Sequence, residues 1–271
     1  MKKLLLPVTL AAILSGLGAV HVDAANAAII GKTVEYSSQG TTLKGYLAYD
    51  DAIRTQRPGI IVVHEWWGLN AYAKKRARML AELGYTALAL DMYGDGKVAT
   101  HPDDAGKFSS AIMKDFDVGK SRFLAAEAFL KQQPSVDPTR IGAIGYCFGG
   151  GVVLNMARQG ADLAAVASFH GNLTAVKPAA PGMVKAKIRV YTGGNDKFVP
   201  PEAVEAFKKE MTAAGADFKV TVYPGAMHSF SNPDATSVGK KFNLPLAYDK
   251  QADTQSWKDM QLFFTEVFKK K

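Results

Sequence analysis

Cys147 is the only cysteine in the chain, and it stands at the centre of Gly145-Tyr146-Cys147-Phe148-Gly149. The apolar run Arg140 to Ile144 leads in, and Gly150-Gly151-Val152-Val153-Leu154 leads out. Strand, sharp turn and helix in that order are what a nucleophile elbow requires. The glycines two before and two after the cysteine leave room where a strained turn brings backbone against backbone. Asp196, after Gly193-Gly194-Asn195, and His228, after Pro224-Gly225-Ala226-Met227, complete a possible set. A thiol can attack a carbonyl if a histidine takes its proton and a carboxylate fixes the imidazole tautomer. Each residue has a plainer reading: buried filler for Cys147, a helix cap for Asp196, a loop histidine for His228. Their order, each just past an apolar run, favours the chemical one.

His64-Glu65-Trp66-Trp67-Gly68 ends an earlier apolar run. Backbone N–H groups there and just after the nucleophile, at Trp66 and Phe148, are placed to hold an oxyanion. A carboxylate at Glu65 among tryptophans is costly unless paired, which makes Glu65 a candidate regulator of the thiol. Trp67, Tyr93 and His170 are expected to line the pocket, and His64 to face away from it. No Cys/His cluster has metal spacing and no glycine loop has a phosphate-binding context, so neither metal nor cofactor is expected.

Positioning these groups takes alternating elements. Lys32 to Tyr36 and Leu43 to Leu47 alternate as antiparallel strands around Gln39-Gly40. Gly59 to His64, Thr86 to Leu90, Ile141 to Ile144, Leu163 to Ser168, Ile188 to Thr192 and Phe218 to Tyr223 read as buried strands. Between them Ala71 to Leu83 (capped by Asn70), Val118 to Leu130, Gly149 to Arg158 and Pro200 to Ala214 read as helices, and Ala252 to Lys270 closes the chain. This is the pattern of an α/β fold, a mostly parallel twisted sheet with helices on both faces, in one domain over residues 28–271. Nucleophile, acid, histidine is also the chain order of the α/β-hydrolase fold. Tyr93 to Asp104 and Ser231 to Asp249 fit neither element and are expected as irregular rims of the site.

Over residues 30 to 270 the chain resembles the dienelactone hydrolase (carboxymethylenebutenolidase) family. The resemblance is carried by Glu65-Trp66, Gly-Tyr-Cys-Phe-Gly at Cys147, Gly-Gly-Asn-Asp at Asp196 and Met-His-Ser-Phe at His228. It implies a Cys-His-Asp triad that opens lactones or activated esters through a thioester, with Glu65 holding the resting thiol. Relatives acting on dienelactone itself carry two carboxylate-binding arginines. The matching stretches here read Gly94-Asp95 after Asp91-Met92-Tyr93, and Asn232. Neither can rebuild a bidentate clamp, so a different ester or lactone is expected.

The start of the chain bears on location. Met1-Lys2-Lys3, the apolar stretch Leu4 to Val20 and small residues after it read as a secretory signal peptide, residues 1–24, with a second cleavage site after Ala27. An uncleaved anchor is the rival reading. The expectation is a periplasmic or secreted protein without stable membrane insertion, a monomer acting on a small molecule. The net charge of +8 in 271 residues is scattered lysine, which argues for a solvated surface and against a nucleic-acid face. The alternative to an enzyme is a binding or thiol redox-responsive protein that keeps the fold and a free exported thiol.

Overall fold

The computed structural model describes residues 28–269, so the expected signal peptide lies outside the described residues. Strands β1 (Ile29–Ser38) and β2 (Thr41–Asp50) pair antiparallel. Gln39 and Gly40 between them both take positive φ, the conformation that a two-residue hairpin turn demands. Then come β3 (Arg57–Val63), α1 (Ala71–Glu82) and β4 (Thr86–Ala89). Asn70 caps α1 by accepting the Ala73 N–H. Helices α2 (Pro102–Lys114) and α3 (Phe116–Lys131) precede β5 (Val136–Tyr146) and α4 (Phe148–Arg158). Strands β6 (Ala165–Phe169) and β7 (Lys187–Gly193), helix α5 (Pro201–Ala213) and strand β8 (Phe218–Tyr223) follow. Helices α6 (Ala235–Phe242) and α7 (Lys250–Val267) end the described chain.

The strands form one eight-stranded sheet in the order β1-β2-β4-β3-β5-β6-β7-β8. From β4 to β8 the neighbours run parallel, and β2 joins β4 antiparallel. The architecture is that of an α/β hydrolase: the alternation of elements implied the mostly parallel α/β sheet, and the order Cys147, Asp196, His228 implied the hydrolase form of it. Central strands are buried on both faces because helices cover both. Ile61 and Val63 of β3 enter a core with α3, α4 and α5, while Ile60 and Val62 enter the opposite core with α1 and α7. That alternation is the two-residue period of a strand, read from both sides.

Two elements depart from expectation. Of the segments read as irregular rims, Ser231 to Asp249 contains a helix, α6, and Tyr93 to Asp104 is irregular until its last three residues, which begin α2. In α2 the Pro and Asp residues that suggested a loop instead start the helix. His101 caps it, Pro102 sits in the first turn, and Asp103 and Asp104 face the positive end of the helix dipole. Helix α6 is short and ends on Asn243 in the left-handed conformation.

Candidate active site

Cys147, Asp196 and His228 each sit just past the C-terminal end of a parallel strand, where open sheets of this kind place their ligand crevice. The structure brings the three together. His228 Nε2 lies 3.1 Å from Cys147 Sγ, and His228 Nδ1 lies 2.8 Å from Asp196 Oδ2. The other carboxylate oxygen of Asp196 accepts the N–H groups of Phe198 (2.8 Å) and Val199 (3.2 Å). The carboxylate is thereby fixed, Nδ1–H donates to it, and Nε2 faces the sulfur. Burial disfavours a charged imidazole here, yet the neighbouring sulfur and carboxylate outweigh it and raise the His228 pKa well above its ordinary value.

Backbone strain marks the same place. Cys147 has φ of 53° and ψ of −117°, between the end of β5 and the start of α4. A Cβ on Gly145 would meet Gly149 O at 2.1 Å, and one on Gly149 would meet Val63 O at 2.3 Å. Those glycines are therefore required by the turn. His170 and Ser229 also take positive φ, at 40° and 58°, so three of the six such non-glycine residues among those described cluster here.

The N–H groups of Trp66 and Phe148 have no acceptor among the described residues. Both residues border the cavity over Cys147. The Phe148 N–H belongs to the first turn of α4, where helix donors lack partners and the dipole favours negative charge. Gly149 N–H bonds His64 O at 3.1 Å, tying the elbow to the loop that carries Trp66.

Below the elbow lies a buried polar network. Cys147 N–H donates to His170 Nδ1 (3.2 Å) as well as to Phe169 O (3.0 Å). His170 must therefore carry its proton on Nε2, which reaches Ser231 Oγ at 2.7 Å. Burial, aided by the charges of His228 and Arg76, holds the His170 pKa well below its usual value. Ser231 Oγ also bonds Tyr72 Oη at 2.7 Å, and Arg76 donates to Ser231 O, Tyr72 Oη and Asp253. The loop bearing His228 is thus fastened to α1 and, through His170, to the nucleophile's own peptide.

Above Cys147 a cavity of about 390 Å³ opens. Trp66, Met113, Phe148, Phe198, Val199 and Leu246 supply its apolar walls. Ser109 and Ser110 of α2 and Asn172 add the polar spots. Phe198, about half exposed, borders the cavity and packs its ring edge-on against His228.

The dienelactone hydrolase family profile matches residues 43–268. The chain belongs to that family. Protein usf of Aquifex pyrophilus is 32% identical, over 88% of this chain and 99% of its own length. Two solved structures are each 35% identical over 89% of this chain. One, titled m3DLH, matches over 99% of its length with a TM-score of 0.84. The other, a dienelactone hydrolase-like promiscuous phosphotriesterase from metagenomic libraries, matches over its full length with a TM-score of 0.82. The protein is thus a hydrolase of the dienelactone hydrolase family with a small-molecule substrate.

Other expected residues of this dienelactone hydrolase family member fall elsewhere. Glu65 makes no hydrogen bond to Cys147; Ser229 Oγ (2.9 Å) and Asn232 Nδ2 (2.6 Å) hold its carboxyl group instead. Burial raises the Glu65 pKa despite those bonds and the charges of His228 and Arg76. Trp67 does not line the cavity; it packs against Trp66 and Phe242. Tyr93 stands behind the wall, edge-on to His64 and tilted against Phe148, with its hydroxyl donating to Trp66 O at 2.8 Å. His170 lies in the floor and not in the pocket. His64 does face away, a neutral ring whose pKa burial lowers to about 4, bonded to Glu65 O and Met92 N–H.

Sequence reasoning missed Ser231, the joint of the floor, and the α2 residues of the wall. Ala105, Phe108 and Ile112 recur at helical spacing and could have revealed α2. No comparable signal marks Leu246.

Proposed function

We propose that this hydrolase is an exported, cysteine-dependent enzyme that opens lactones or activated esters and thioesters through a thioester intermediate. The observation that carries the reading is the hydrogen-bonded chain from Cys147 Sγ through His228 to Asp196. His228 takes the thiol proton, and the thiolate attacks the substrate carbonyl carbon. The resulting oxyanion is held by the N–H groups of Trp66 and Phe148. As the C–O bond breaks, His228 returns its proton to the leaving oxygen, and the acyl group stays on sulfur. Water, deprotonated by His228, then releases the acid and restores the thiol. Leaving groups that need little protonation are favoured, hence activated esters and strained lactones over amides. Export rests on the basic-then-apolar start of the chain; among the described residues no helix is long and apolar enough to cross a membrane.

The test is turnover of a 4-nitrophenyl ester with mass spectrometry of the intact protein. The wild type should show a transient acyl adduct on Cys147, and Cys147→Ala should lower the rate at least ~10³-fold. Turnover retained in Cys147→Ala, or no turnover and no adduct with any activated ester, would overturn the proposal.

A further inference from the structure

The cavity over Cys147 offers an incoming charge almost nothing. Neither lysine nor arginine lines it, although the chain as a whole carries a net charge of +8. Of its polar side chains, Ser109 Oγ already donates to Ala105 O at 2.8 Å, and Asn172 Oδ1 already accepts the Thr174 N–H at 2.8 Å. That leaves the Ser110 hydroxyl and the Asn172 amide NH₂ as neutral donors without charge. The imidazole of His228 is committed to Cys147 and Asp196. Arg76, the nearest cation of the floor, is buried under Ser231 and paired with Asp253. Asn232 has its amide turned onto Glu65 and is absent from the cavity wall. A carboxylate or phosphate entering here would shed water and find no lysine or arginine, only an imidazole at His228 already paired with Asp196 and Cys147. An apolar chain or ring would bury itself against Trp66, Met113, Phe198 and Leu246 and gain from doing so. The volume lies toward the small end of the ~300–1,000 Å³ range of ligand pockets, which suits a compact substrate.

Resting on the reading of Cys147 as nucleophile, we infer that the site selects uncharged esters or lactones with a compact apolar group. We further infer that Met113 of α2, an apolar lining residue of the cavity that Cys147 also lines, is a specificity-determining residue. The general field of a basic protein draws anions to its surface, so selection against them must act inside the cavity, after entry.

A matched pair of substrates tests this: the 4-nitrophenyl esters of 6-methylheptanoic acid and of adipic acid. They differ only in an isopropyl group where the second has a free carboxylate. The neutral ester should be favoured in kcat/KM by about 100-fold, a margin reflecting one buried unpaired charge. That preference should persist at high salt, because the cavity and not the surface field sets it. Met113→Arg should cut the ratio at least ~10-fold by supplying a charge-assisted bond. Ser110→Arg, at an exposed position on the same helix, should cut it in the same direction and covers the case in which Met113→Arg fails to fold. Equal turnover of both esters, or preference for the adipate, would overturn the inference and leave the nucleophile standing. If neither ester acylates Cys147, the failure belongs to the proposed function.

Discussion

Beneath Cys147 the site is made of buried polar groups that answer one another: His170, Ser231, Tyr72, Arg76 and Asp253 in one chain of bonds, His228 and Asp196 in another. Above it the walls are apolar, and Met113 and Leu246 reach them from or near the peripheral helices α2 and α6. The floor joins residues as far apart in sequence as Arg76 and Asp253, through directional hydrogen bonds. The walls rely on contact area, which is tolerant of direction. The floor should therefore govern the rate of the bound substrate, and the walls should govern which substrate binds. Changes in the floor belong in kcat, and changes in the walls in KM and in selectivity.

The largest blow to the floor short of removing the nucleophile is Asp196→Asn. The Phe198 and Val199 N–H groups require an acceptor on one side of this side chain, so the new amide must turn its oxygen there and its NH₂ toward His228 Nδ1. The imidazole would then carry its proton on Nε2, facing the sulfur, and could not accept the thiol proton. We expect kcat to fall about 10³- to 10⁴-fold, with KM within about threefold of wild type. Steady-state kinetics with a 4-nitrophenyl ester decide it; a variant with intact kcat and a raised KM would break the division between floor and walls.

Ser231→Ala should act more gently and in the same direction. It removes the acceptor of His170 Nε2–H and so loosens the ring that accepts the Cys147 N–H. A buried donor left unpaired costs about 1–3 kcal/mol, so kcat should drop about 10-fold, with KM unmoved. A purely structural role would leave the pH profile of Cys147 alkylation as it is; a positioning role shifts that profile, and Ser231→Thr restores it. An unaltered profile in Ser231→Ala would confine the serine to stability.

Legibility in the sequence divides along the same line. Gly145, Cys147, Gly149, Asp196 and His228 could be located because strand ends and tight turns restrict residue type locally. The sheet was readable because its central strands are continuous apolar runs. Ser231 carries no local mark: its role arises only when α1, the end of β6 and the His228 loop meet. Tyr93 and His170 were placed near the site correctly but on the wrong layer, since spacing fixes position along a strand end and not depth. Helix α2 is hidden by its own start, where Pro102, Asp103 and Asp104 serve the first turn yet are the residue types of a loop. Leu246 reaches the cavity through a bridge between His228 and the segment after α6, a contact no periodicity announces.

The finest test concerns Glu65, which lies between the two regions and touches neither the sulfur nor the cavity. Asn232 accepts the Asp234 N–H through Oδ1, so its amide NH₂ must point at Glu65, which needs an acceptor there. Glutamine meets that need with Oε1 and offers Nε2–H to Ser229 Oγ, as a protonated glutamic acid would. Because burial raises the Glu65 pKa, the folded chain keeps a proton that the unfolded chain loses near the ordinary value of about 4.3. Its contribution to stability is then complete below that ordinary value and is lost as pH rises through the raised one. Glu65→Gln should match the wild type in acid and exceed it increasingly toward neutral and alkaline pH, in denaturant midpoints measured across that span. Alkylation of Cys147 should keep its pH profile and stay within about twofold in rate, since no bond joins the carboxyl group to the sulfur. A displaced alkylation profile would instead move Glu65 into the chemistry of the floor, as the resemblance to its family suggests.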